Sequence, residues 1–287
     1  MIDTRKVREA GMKVITLNNK KGGVGKTTLA GIIGGGLAMR GKRVLMIDTD
    51  QQGNLTEAMG ISKRAAFFRF LKWYKKDAPD YTPLIDRDDA RNSLIVRVPA
   101  DTCPDALYVV PGSNETQGIP GSTGLRDMVE GFAWRLKELE DYFDYVIIDT
   151  QPSDTPLHDA IALVTDWFLC PIDPEPFAAL SSLESAISNI QYSREQSLAM
   201  GRDKARIMGI IPNKYRARTV LHESIVDSLM QKYGEMVWEP LPLRTAIPEA
   251  QLNSTTLMYA APQLKTNVHL WSLVDRVLAT AEGVSHE

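Results

Sequence analysis

The stretch that most constrains this chain is Lys20 to Thr28, read as KKGGVGKTT. It follows an apolar, β-branched run (Val14, Ile15, Thr16, Leu17) and precedes a helical pattern (Leu29, Ile32, Ile33, Leu37). Glycines let the backbone turn tightly after a strand and aim successive N–H groups inward, and the following helix adds the positive end of its dipole. The result is an anion cradle. Gly22, Gly23, Val24 and Gly25 form its wall, Lys26 reaches the outer phosphates of a nucleotide, and the Thr27 hydroxyl serves as a Mg²⁺ ligand with Thr28 beside it. The usual spacing G-x-x-x-x-G-K-[ST] fails at its first position, where Lys20 stands, and a second lysine, Lys21, opens the glycine run.

Composition narrows the setting. At 287 residues and 44% hydrophobic content the chain can bury a full α/β core. No apolar run approaches the roughly 18 residues needed to span a bilayer, and MIDTRKVREAGMK lacks an apolar signal core, so a cytoplasmic protein is expected. The first 11 residues read as a frayed leader or short helix. Two distant cysteines, Cys103 and Cys170, exclude a disulfide framework. With 33 basic and 36 acidic residues, any nucleic-acid binding must come from a local patch.

A second apolar strand, Val44 to Ile47, ends in Asp48, Thr49 and Asp50, which places carboxylates at a strand's carboxyl end, where α/β folds hold ligands. Asp48 reads as a hydrogen-bond acceptor behind the site. Residues 62–76 carry six basic and five aromatic side chains. Stacking on nucleic acid would use such interleaving, but Phe67, Phe68, Leu71 and Tyr74 also form the stripe of a core-facing amphipathic helix. Strand candidates follow at Leu94 to Val98 and Leu107 to Val110, then a helix from about Leu125 to Tyr142. Residues 62–106 read as an elaboration of one domain spanning 1–287. Tyr145 to Asp149 is a buried strand closed by an acid, which sets Asp149 beside the Mg²⁺ shell through a water. A helix over about 155–165, a strand at Trp167 to Ile172, a long helix and a strand at Ile207 to Ile211 continue the alternation. That pattern predicts a mostly parallel twisted sheet with helices on both faces.

The last of these strands delivers Pro212, Asn213, Lys214, Tyr215 and Arg216. A guanine reader needs an acid at the place of Arg216, which cannot accept a hydrogen bond. Adenine is therefore expected, with Asn213 at the base edge. Lys214, Arg216 and Arg218 put three cations within five residues. The final helix, about Val268 to Ala281, has Leu270, Leu273, Val274, Val277 and Leu278 on one face, which predicts packing against the sheet.

The K-G-G-x-G-K-T pattern resembles the deviant Walker A motif of the ParA/MinD family of P-loop ATPases, and D-T-D-Q-Q-G-N at Asp48 to Asn54 resembles its next motif. The resemblance implies that Lys21 crosses an ATP-bound homodimer to the partner's nucleotide. It implies that Asp50 orients the attacking water and stands near the metal through a water. Arg218 would contact DNA without sequence preference, joined by Lys214, Arg216 and Arg244, and Glu175 would face ribose or the dimer partner. It further implies a slow ATPase that takes ATP and Mg²⁺, sits on the nucleoid, and partitions a plasmid, chromosome or other cargo with a ParB-like adaptor. A MinD-like membrane-associated regulator is the alternative, and it requires a basic amphipathic tail that His269, Asp275, Arg276 and Glu282 do not supply. A nitrogenase-reductase-like protein would need cluster cysteines. A dethiobiotin-synthetase-like enzyme would transfer to a small acceptor.

Overall fold

The computed structural model describes residues 11–64, 66, 67, 70, 94–103, 105–112, 124–152, 155–175 and 179–283. Seven strands form one sheet: β1 (Lys13–Leu17), β2 (Val44–Asp48), β3 (Val96–Arg97), β4 (Leu107–Val110), β5 (Tyr145–Asp149), β6 (Trp167–Ile172) and β7 (Arg206–Pro212). Their order is β3-β4-β2-β5-β1-β6-β7, with every pairing parallel except the edge pair β3–β4. The strands β2 and β5 are buried along their whole length, as two helical layers require. The expected strand at Leu94 to Val98 is shorter, confined to Val96–Arg97, because it pairs only at the sheet's margin.

Helices α1 (Lys26–Met39), α2 (Asn54–Ala58), α3 (Leu125–Leu139), α4 (Pro156–Val164), α5 (Ala179–Ala199), α6 (Val220–Tyr233), α7 (Ala246–Leu252), α8 (Leu257–Ala260) and α9 (Asn267–Glu282) cover the sheet. The glycines inside α1 each cost roughly 1 kcal/mol against alanine, and close approach explains them. A Cβ at Gly34 would stand 2.5 Å from Met46 Sδ on the sheet side, and one at Gly36 would stand 2.4 Å from Val274 Cγ2 on α9. The last helix thus packs mainly on α1 rather than on the sheet as expected. Leu270, Leu273, Val274 and Val277 are buried there, and Arg40 adds a two-pronged ion pair to Asp275.

Part of the 62–106 elaboration joins the same core. Phe67 and Phe70 are buried against Phe132 of α3, with ring centroids at 5.9 and 6.3 Å. Phe68, Leu71 and Tyr74 of the expected stripe lie outside the described residues. Phe70, which that stripe omitted, is one of the residues inside. Arg135 of α3 ties the two segments, donating to Phe70 O at 3.3 Å and to Glu138 Oε2 at 2.7 Å from a fully buried guanidinium.

Candidate nucleotide site

Strand register brings the site together before any side chain is considered. Leu17 pairs with Asp149, and Asp48 pairs with Asp149, so the phosphate loop leaves β1 beside both acids. Gly23 and Gly25 lie at φ 76° and 95°, left-handed values that let the loop wrap back into α1. At Gly25 the turn is also crowded from outside: a Cβ would stand 2.2 Å from Asn213 Nδ2.

Lys26, the first residue of α1, is buried, and its Nζ donates to Asn19 O at 2.9 Å and to Lys21 O at 3.3 Å. Burial lowers its pKa, while Asp149 and Asp50 act in the opposite direction. Asn19 is a site residue that sequence reasoning passed over. Its Nδ2 donates to Pro171 O at 2.8 Å and its Oδ1 accepts from Lys21 N at 2.8 Å, so it pins the loop to β6. The only sign of it in sequence is a polar residue directly after an apolar strand. Lys21 is half-exposed, with Nζ 4.0 Å from Glu175 Oε2.

Asp149 is fully buried, and neither carboxylate oxygen has a hydrogen-bond partner. Burial pushes it up to about 8, Asp48 and Asp50 add to the rise, and the Thr27 hydroxyl and Lys26 oppose it. An orphaned carboxylate facing the phosphate loop is what a hydrated divalent cation would satisfy, so the residues fit Mg²⁺ held with Thr27. Among the described residues no group of three or more His, Cys, Asp or Glu is set to hold a metal unaided. Nucleotide oxygens would complete the shell.

Asp48 is engaged as a scaffold. Its Oδ2 accepts from Thr56 N at 2.9 Å and Thr56 Oγ1 at 2.6 Å, and its Oδ1 accepts from Asp50 N at 3.1 Å. Burial is the main cause of its rise to about 6, which those bonds oppose. Asp50 Oδ1 accepts from Gln52 N at 2.9 Å, closing a turn over the same crevice.

Asn213 donates to Val24 O at 2.8 Å, and Lys214 Nζ donates to Gly23 O at 2.5 Å with Asp173 Oδ2 at 3.5 Å. Lys214, grouped in sequence with the cations at 216 and 218, therefore has its ammonium on the phosphate loop. Arg216, Arg218 and Arg244 are exposed. Two bonds gather them: Tyr215 N to Leu241 O and Leu243 N to Tyr215 O, both 2.9 Å. A cleft of about 890 Å³ opens beside Thr27 and Thr28 and is lined by Glu57, Lys63, Pro248 and Gln251 among others. Thr28 Oγ1 donates to Gln251 Oε1 across it at 3.1 Å.

A family profile described as an AAA domain matches residues 12–200. The chromosome-partitioning ATPase Soj of Thermus thermophilus is 28% identical over 254 residues, covering 88% of this chain and 90% of that protein. The maintenance of carboxysome distribution protein A of Synechococcus elongatus is 31% identical over 215 residues, with 74% and 77% covered. Among solved structures, Cyanothece apo McdA aligns with a TM-score of 0.69 at 21% identity over 93% of this chain and 99% of that one. The septum site-determining protein MinD of Pyrococcus horikoshii, complexed with Mg-ADP, aligns with a TM-score of 0.64 at 18% identity over 96% and 100%.

Proposed function

The chain belongs to the ParA/MinD-type P-loop ATPases, and on that premise we propose that it is an ATP-dependent dimerising switch that binds DNA without sequence preference and partitions a cargo with a ParB-like partner. Mg²⁺, when bound, supplies charge to the phosphoryl oxygens on which negative charge spreads in the transition state. The protein's share is preorganisation. Phosphate-loop N–H groups and Lys26 stand fixed on the nucleotide side, Thr27 and Asp149 hold the cation, and Asp50 orients water. Lys21, half-exposed at the mouth of the site, supplies charge to the partner's nucleotide. The cleft beside Thr28 takes the nucleoside, with Asn213 toward the base. Turnover is slow until the partner stimulates it, since switching is the purpose.

The DNA half of this reading is carried by one observation: Arg216, Arg218 and Arg244, from segments far apart in the chain, meet on one surface, and Asn213 and Lys214 join that surface to the phosphate loop. The stripe of α9 favours this over a membrane role, because its apolar residues are spent on α1. A mobility-shift series with ATP, ADP or no nucleotide tests the reading. Binding should require ATP and fall steeply with salt, because phosphate contacts release counterions. Nucleotide-independent or salt-insensitive binding would overturn it.

A further inference from the structure

The segment that carries Arg216 and Arg218 has a shape its own residues disfavour. Lys214 and Arg218 both lie in the left-handed region, at φ 57° and 64°, where side chains other than glycine are uncommon. Such a backbone persists only where its surroundings over-determine it. At one end the surroundings are plain: Lys214 is held by Gly23 O and Asp173, and Tyr215 is laced to Leu241 and Leu243.

Beyond Tyr215 the anchor is a histidine. His222, in the first turn of α6, is buried to 4% exposure, and its Nδ1 accepts from Arg216 N at 3.2 Å. The Tyr215 ring meets the imidazole edge-on, centroids 6.0 Å apart. An imidazole that accepts at Nδ1 is neutral and carries its proton on Nε2. A side chain of α6 thus fixes the backbone between two exposed arginines without touching solvent ligands itself.

We propose that His222 is a positioning residue for the cationic surface: by accepting the Arg216 N–H it holds the turn through Arg218 and so sets how many DNA phosphates the surface engages. The proposal rests on the DNA-binding reading above. It assigns to His222 a part in DNA affinity and none in the ATP site.

The test compares His222→Phe, which keeps a ring and removes the acceptor, with His222→Asn, whose amide oxygen can take the place of Nδ1. ATP-bound protein is titrated onto duplex DNA across a salt series, with ATP affinity and thermal midpoint measured alongside. His222→Phe should weaken DNA binding about fivefold, the effect of one unsatisfied backbone donor. It should also make the slope of log K against log salt shallower by about one phosphate contact. His222→Asn should restore both. Simple loss of folded protein would lower the active fraction and leave the slope alone. Should the phenyl ring not be accommodated, His222→Gln, whose oxygen sits one bond further out, is expected to lose the slope in its place.

In an Arg216→Ala, Arg218→Ala background, His222→Phe should have no further effect. A wild-type slope in His222→Phe, or failure of His222→Asn to rescue, overturns the proposal while leaving the DNA reading intact. Unchanged DNA binding in the double arginine variant overturns the DNA reading and the proposal with it.

Discussion

Asp48 and Asp149 end neighbouring parallel strands in direct register, both fully buried. Each holds the other's pKa question open, because two carboxylates in one dry crevice cannot both ionise cheaply. Burial lifts Asp149 to about 8 and Asp48 to about 6. In the folded state both keep protons that the unfolded chain has released above the ordinary carboxylate range, near pH 4. Wherever the folded state binds more protons, stability falls as pH rises. The nucleotide-free protein should therefore lose thermal stability between about pH 4 and about pH 8 and level off above. Asp149→Asn should flatten the upper part of that slope. A midpoint that climbs through this window in the wild type would contradict the assignment.

The same pair predicts a proton count. A Mg²⁺-nucleotide complex favours the ionised form of Asp149, so binding near pH 7 should release protons. Calorimetry in two buffers of different ionisation enthalpy reads this directly, and Asp149→Asn should show less release. Equal release in both proteins would place the titrating group elsewhere.

Thr56 is the relay between Asp48 and the neighbouring loop. Its N–H and hydroxyl both donate to Asp48 Oδ2, and the hydroxyl accepts from Gly112 N at 2.9 Å. Thr56→Val keeps the volume and strands a buried N–H and a carboxylate oxygen together. The expected loss is about 2–3 kcal/mol by denaturant unfolding, near the upper end for a deleted buried hydrogen bond. Thr56→Ser, which keeps the hydroxyl, should recover most of it.

Close contact between helices α1 and α9 makes a third site for measurement. Alanine at Gly36 would press its Cβ against Val274 Cγ2 and, at 2.9 Å, Met258 Cε. Overpacking of this kind costs about 1–3 kcal/mol even though alanine is the better helix former. Adding Val274→Ala should return part of the loss, a coupling that unfolding of the single and double variants measures. Additive losses would mean that the glycine serves another purpose.

These sites also mark what the sequence could reveal. The central strands were legible because each is an apolar run closed by a carboxylate or a glycine turn, patterns local to a few residues. The phosphate loop was legible for the same reason. The glycines of α1 were visible yet unexplained, since Met46 and Val274 approach from distant segments. Asn19, Thr56 and His222 carried no signal at all. Each is defined by the atom it reaches (Pro171 O, Asp48 Oδ2, Arg216 N), and the partners of Asn19 and Thr56 become neighbours only when the strands pair. Lys214 was legible as a cation and misleading as to direction, because its side chain turns to Gly23 O.

The two lysines that flank the glycines should separate binding from assembly. Lys26 is buried and spends its ammonium on the carbonyls of Asn19 and Lys21, which phosphate oxygens would replace, so Lys26→Ala should abolish nucleotide binding itself. Lys21 contributes its N–H to Asn19 but sends its side chain outward, with Glu175 4.0 Å away. A half-exposed pair of that length holds the lysine by no more than about 1 kcal/mol, so it can be given up when a partner's phosphates arrive. Lys21→Ala should accordingly bind ATP within a few-fold of wild type while losing ATP-dependent dimerisation, read by light scattering, and hydrolysis. Glu175→Gln should tip the balance modestly the other way, forming dimers at lower protein concentration. If Lys21→Ala dimerises and turns over normally, the lysine acts within its own subunit and ATP occupancy does not govern assembly through it.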